Sequence, residues 1–262
     1  MIGIRESYPA VVPYLTCGWP SEDGFIESVQ GLVEAGCPFF EVGFPFSDPI
    51  ADGPVIQHSS SQALDAGMTV DRCFELTRKA TEATGVPAVC MTYANLVFHA
   101  GLDEFCRRLA EAGGKGLIVP DLSFEESEPV AETCARHGLE LVSFLAPTSA
   151  AARRVEVAKQ AQGFLYLVAV RGVTGGTTAM SDELSTLIAD AKRDSTVPVL
   201  VGFGIRSSEQ VPAMLEAGAD GVIVGTALIE AIGKAHEAGQ PIREAVRDFL
   251  APLVEATRPA AV

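Results

Sequence analysis

Three stretches of this chain use one phrase at wide spacing. LVEAGCPFFEVG spans residues 32–43, LAEAGGKGLIVP spans 109–120 and MLEAGADGVIVG spans 214–225. In each, a helical pattern ends, a glycine (Gly36, Gly113 or Gly218) takes the left-handed cap position, and a buried strand follows within a few residues. One joint used three times predicts a symmetric architecture of repeated strand–helix units. The rest of the chain alternates in the same way. Apolar, β-branched runs predict strands at Val11–Thr16, Phe39–Gly43, Ala88–Met91, Gly116–Val119, Glu140–Leu145, Phe164–Val168, Val199–Gly202 and Gly221–Val224. Amphipathic stretches such as Gly24–Ala35, Leu102–Ala112, Val130–His137 and Ser208–Ala217 lie between them, and Pro241–Ala256 reads as a last helix. Such alternation argues for parallel βαβ units. Eight of them in 262 residues, near the ~250 typical of one barrel, predict an α/β fold closed as a single (β/α)8 TIM barrel over residues 1–262. Little sequence precedes the first strand, so little is available to cover the N-terminal mouth.

Composition narrows the function. Apolar residues make up 48% and charged residues 20%, enough to build a large core. The net charge of −15 repels a phosphate backbone, which disfavours nucleic acid as a partner. An anionic substrate would have to be held by local potential, which backbone N–H groups and helix N-termini supply. The six cysteines (17, 37, 73, 90, 106 and 134) form no C-x-x-C pair and read as small buried thiols in a reducing compartment. With no signal segment and no apolar run of membrane length, the expected location is the cytoplasm, with no membrane partner.

In such a barrel, chemistry sits at the C-terminal ends of the strands. The second strand carries Glu41 inside the apolar run FFEVG. If Phe40 and Val42 face the helices, period-two alternation turns Glu41 into the barrel. A carboxylate there is poorly solvated, with a raised pKa suited to general acid–base work. The loop that follows, FPFSDPIADGPVIQ, places Asp48 and Asp52 on a proline-stiffened, apolar segment better suited to packing over a site than to solvent. Asp52 is the stronger candidate for catalysis or substrate binding; Asp48 also fits a simple turn.

Glycines mark three later strand ends: Gly172, Gly175 and Gly176 after the sixth, Gly202 and Gly204 after the seventh, Gly225 after the eighth. The last two ends precede predicted helices, so their N–H groups should converge on one anion site, the usual phosphate position of such barrels. No metal and no cofactor is called for. His58, His99, His137 and His236 lack ligand spacing, no serine sits in a G-x-S-x-G elbow, and Lys115 begins a strand at the wrong mouth for a Schiff base.

The motifs PFSDPIADGPVIQ, MTYANLVF, VRGVTG, VGFGI and GVIVGTA, in register from about Pro13 to the last helix, resemble the tryptophan synthase alpha subunit family. The resemblance implies a lyase that cleaves indole-3-glycerol phosphate to indole and glyceraldehyde 3-phosphate. It implies that Glu41 is the acid–base group, that Asp52 bonds the indole N–H, and that Tyr166 stands near the glycerol. Tyr93, Ile56 and Phe203 match residues lining the site. Gly175, Gly204, Gly225 and Thr226 match the phosphate cradle, and Thr174 matches a residue whose loop closes over the substrate in that family. Met91 and Ile118 would complete an apolar wall, although barrel packing explains them equally well. A beta subunit is the implied partner, met by a rim that includes Asp48, Pro49 and Asn95; Asp121-Leu122-Ser123 lies in another partner-facing loop. Three other readings stay open on the residues: a free-standing lyase, a regulatory subunit with little activity, and a different phosphate-binding barrel.

Overall fold

The computed structural model describes residues 8–146, 148–168, 181–202 and 204–258. Eight parallel strands close into a barrel in sequence order: β1 (Ala10–Thr16), β2 (Phe40–Gly43), β3 (Ala88–Met91), β4 (Gly114–Ile118), β5 (Glu140–Leu145), β6 (Gln162–Val168), β7 (Val199–Gly202) and β8 (Gly221–Val224). The ring is sealed where β1 pairs with β8, from Ala10 opposite Gly221 to Pro13 opposite Val224. The sequence reading of eight strands is borne out, with β4 starting two residues early and β6 extended at its N-terminal end.

The helices follow the strands as α1 (Glu22–Ala35), α2 (Pro54–Asp65), α3 (Val70–Thr84), α4 (Ala94–Ala100), α5 (Leu102–Glu111), α6 (Ser127–Arg136), α7 (Ala151–Gln160), α8 (Asp182–Asp194), α9 (Val211–Glu216), α10 (Thr226–Glu237) and α11 (Ile242–Glu255). Local chemistry sets their ends. The Ser21 hydroxyl accepts the Gly24 N–H at the start of α1, and Gly36, at φ 91°, returns its own N–H to the carbonyls of Leu32 and Val33. Gly113 and Gly218 repeat the positive φ at 82° and 106°, so the repeated phrase is one joint used three times. The helix expected over Ser208–Ala217 is instead a 3-10 turn, Ser208–Gln210, followed by the short α9. Ser207 and Gln210 form a capping box around that turn, and Pro212 stands at the start of α9, so the α-helix begins late.

Alternation divides the strands between two cores. Val11, Leu15, Phe40 and Val42 pack outward against the helices. Val12, Phe39, Val89, Ile118, Phe164 and Leu200 fill the interior. Tyr8 packs against this inner cluster, so the N-terminal mouth is partly covered by an aromatic ring just before β1. All six cysteines are buried and free. Among the described residues no helix is long and apolar enough to cross a membrane.

Candidate active site

Glu41 has the inward parity of Phe39 and stands in register with Tyr14 on β1 and Val89 on β3. Only 1% of it is exposed, and neither carboxylate oxygen has a hydrogen-bond partner. Burial pushes its carboxyl up to about 8, and the nearby charge of Asp52 adds to the rise. A buried polar group without partners is costly and uncommon, which makes this one the leading candidate for chemistry.

Asp52 sits at the same mouth on the loop between β2 and α2. That loop is built rather than slack. The Asp52 N–H donates to the Pro49 carbonyl at 3.0 Å, and the Gln57 side chain donates to the Asp52 carbonyl at 2.8 Å. The carboxylate accepts the Tyr93 hydroxyl at 2.9 Å. Burial raises the Asp52 carboxyl to about 6, while the Tyr93 bond pulls it down. The two acids therefore differ through their surroundings: Glu41 has no partner, and Asp52 has one that favours its charged form.

Three tyrosines complete the wall. Tyr93, at the end of β3, is buried and its ring stacks on Phe46 at 5.1 Å. Tyr166 lies on the inner face of β6 beside Phe144, with ring centroids 5.0 Å apart. Desolvation, then the fields of Glu41 and Asp52, keep its phenol protonated. Tyr14 on β1 is also held neutral, first by burial and then by the field of Asp52, with Glu41 adding to the effect. Sequence reasoning missed Tyr14. The parity rule that turns Glu41 inward also applies to Tyr14 two residues after Val12, but a tyrosine in an apolar strand looks like core.

Glycines make room for two of these rings. A Cβ on Gly43 would lie 2.0 Å from the Tyr14 hydroxyl, and one on Gly202 would lie 2.3 Å from the Tyr166 ring. Gly202, expected to serve the anion site, thus clears space for a tyrosine. The phosphate expectation is narrowed in a second way. Among the described residues, only the eighth strand end opens directly into a long helix: Gly225 precedes α10, whose first-turn N–H groups from Thr226 onward have no acceptor within the helix. After β7 the chain passes Gly204, at φ 66°, before reaching the 3-10 turn. Arg206 offers no free cation there, because its guanidinium bonds Glu230 of α10 at 2.8 and 3.2 Å. An anion at this end would be held by backbone and helix field.

Ile56 on α2 reaches this region, since both its Cδ1 and the Tyr14 Cβ come within 3.6 Å of a Cβ placed on Gly225. Met91 is half-buried at the end of β3, while Ile118 is fully buried in the inner cluster and belongs to packing as much as to a wall. Asp48 is exposed at the rim, accepting the Ser47 hydroxyl at 2.6 Å. Pro49 beside it is half-buried, and Asn95 is exposed on α4. Thr174, Gly175 and Phe203 lie outside the described residues.

A closed parallel barrel that carries two pKa-shifted carboxyls and three neutral phenols at its C-terminal mouth defines an acid–base enzyme on the (β/α)8 scaffold. The chain belongs to the tryptophan synthase alpha chain family, whose model matches residues 4–257. It is 42% identical over 260 residues to the tryptophan synthase alpha chain of Natronomonas pharaonis, covering 97% of this chain and 92% of that one. It is 41% identical over 223 residues to that of Methanothermobacter thermautotrophicus, covering 85% and 83%. Among solved structures, tryptophan synthase of Mycobacterium tuberculosis superposes with a TM-score of 0.86 at 35% identity, covering 97% of this chain and 94% of that one. A tryptophan synthase complex from Pyrococcus furiosus superposes at 0.85 and 31%, covering 95% and 98%.

Proposed function

We propose that this chain cleaves indole-3-glycerol phosphate to indole and glyceraldehyde 3-phosphate, as the alpha subunit of a tryptophan synthase. The carrying observation is Glu41: a carboxyl at the barrel mouth, 1% exposed, unpartnered, and protonated at neutral pH. In the first step the Glu41 acid gives its proton to ring carbon C3 of the indole, and the ring becomes cationic. The Asp52 carboxylate accepts the indole N–H and stabilises that charge. Glu41, now ionised, takes the proton from the hydroxyl on the carbon attached to the ring. The carbon–carbon bond breaks, its electrons restore the indole ring, and the hydroxyl carbon becomes the aldehyde. Glu41 ends protonated, as it began, so one carboxyl serves as acid and then base. Tyr166, neutral and beside the acid, faces the glycerol. Tyr93, Ile56 and Met91 border the ring, with Ile118 behind them; Phe203 and Thr174, outside the described residues, take the substrate-binding roles that the family resemblance implies. Gly175, Gly204, Gly225 and Thr226 hold the phosphate.

A beta subunit is the proposed partner. Ile50 is 82% exposed and Phe98 53% exposed, on the loop after β2 and on α4, beside Asp48, Pro49 and Asn95. Apolar side chains grouped at the rim of a mouth favour association. Six free, buried thiols fit the reducing cytoplasm. The test is indole release by the purified chain, with and without a tryptophan synthase beta subunit. Release that rises on adding the partner supports the proposal. High turnover unchanged by saturating partner establishes a free-standing lyase, and no release under either condition refutes the activity.

A further inference from the structure

We propose that Asp121, on the loop after β4, is a positioning residue for the cleavage: acting through the start of α4 and Tyr93, it fixes where the Asp52 carboxylate sits. The proposal rests on the role given to Asp52 above.

The contacts run in one line across three successive loops. The Asp121 carboxylate accepts the Ala94 N–H at 2.9 Å. Ala94 is the first residue of α4 and Tyr93 is its N-cap, with no side-chain cap bond of its own. The Tyr93 carbonyl accepts the Leu96 N–H at 3.0 Å. Both polar ends of the Tyr93–Ala94 peptide are therefore tied, which fixes its plane and the direction in which the Tyr93 ring leaves the backbone. At the tip of that ring the hydroxyl accepts the Ala51 N–H at 3.1 Å and donates to Asp52 Oδ2 at 2.9 Å. The direction of this pair is not a free choice. A backbone N–H only donates, so the hydroxyl oxygen receives it and the phenolic proton goes to the carboxylate. Tyr93 thus clips the loop after β2 at two adjacent residues, and Asp121 anchors the clip from the other side.

The titratable groups whose fields act with that of Asp52 are Glu41 on β2, Tyr14 on β1, Tyr93 after β3 and Tyr166 on β6; Asp121 in turn acts on Tyr93. This separates two ways in which Asp121 can matter. As a bare negative charge it would raise the Asp52 pKa, so its removal would lower that pKa. As an anchor for Tyr93 it keeps a donor on the carboxylate, so its removal would raise the Asp52 pKa. The signs are opposite.

The experiment follows the Asp52 carboxyl directly, by NMR titration of protein labelled with carboxyl-13C aspartate, together with the pH profile of indole release. Tyr93→Phe keeps the ring and its stacking but removes the hydroxyl, and should raise the Asp52 pKa by about 0.5–1. Asp121→Ala should move it the same way and lower kcat/KM by about tenfold, on the scale of a lost helix cap. Asp121→Asn keeps an acceptor for Ala94 and should restore the wild-type titration. Adding Asp121→Ala to Tyr93→Phe should produce no further change, since both act on one contact. An Asp121→Ala titration that stays at the wild-type value or falls, or effects that add in the double variant, would overturn the proposal. A displaced titration with an unmoved acid limb of indole release would instead overturn the role of Asp52.

Discussion

The two mouths of this barrel treat a strand-end carboxylate in opposite ways. At the N-terminal mouth Asp220, just before β8, accepts Lys192 Nζ at 2.6 and 2.7 Å and the Val199 N–H at 2.8 Å. At the C-terminal mouth Glu41 accepts nothing. The first arrangement joins α8, β7 and β8 and contributes to stability. The second leaves an acid in a dry place where its proton is available. A barrel separates these tasks by end, so polar groups below can be satisfied while those above stay poised for a substrate.

The comparison breaks first at Glu41. Glu41→Gln should lower cleavage by roughly 100- to 10,000-fold or more while substrate binding persists. The same variant should gain stability in a defined pH window. In the unfolded chain Glu41 ionises near its ordinary 4.5, and in the folded chain only near about 8. Between these values the unfolded state releases a proton that the folded state keeps, so wild-type stability declines as pH rises through the window. Glutamine carries no such cost. Its advantage in thermal or urea unfolding should be absent near pH 4.5 and should reach a few kcal/mol by about pH 8, since each pH step of one inside the window contributes about 1.4 kcal/mol. A constant difference across that range would mean that the Glu41 carboxyl is not held neutral by the fold.

The next effect is steric. Gly202→Ala puts a Cβ 2.3 Å from the Tyr166 ring. Overpacking should cost about 1–3 kcal/mol, and the displaced phenol should slow turnover by roughly ten- to a hundredfold. Unfolding midpoints and single-turnover rates measure the two parts. The smallest effect belongs to the other mouth. Asp220→Ala should cost about 1 kcal/mol of stability, because the Lys192 pair is partly exposed and the Val199 N–H loses one acceptor. Its kcat should match wild type. A large fall in kcat there would blur the division between the ends.

How much of this is legible in the sequence depends on the distance over which each feature is written. The strands are written locally, in apolar runs bounded by glycine, and Ala88–Met91, Glu140–Leu145, Val199–Gly202 and Gly221–Val224 match the structure end to end. Glu41 is legible because a charge in an apolar strand conflicts with its neighbours, and parity gives its direction. Tyr14 creates no such conflict. Gly202 shows the limit for glycines: sequence records that a side chain is missing, but not whether ligand or ring fills the space. The Asp121 contact joins residues 27 apart, and no local pattern announces it. The 3-10 turn at Ser208–Gln210 is masked by a helical pattern that continues through it.

The measurement closest to the central claim is the pH dependence of kcat/KM for indole release, read between about pH 5 and 9. In the proposed mechanism Asp52 acts ionised, stabilising the cationic ring, so activity should fall as pH drops through about 6. In the same proposal Glu41 begins the reaction protonated, so activity should fall again as pH rises through about 8. The account predicts a bell between these limbs, with the residual activity of Glu41→Gln lacking the alkaline one. A wild-type alkaline limb that persists unchanged in Glu41→Gln would show that another group supplies the proton and would contradict the account.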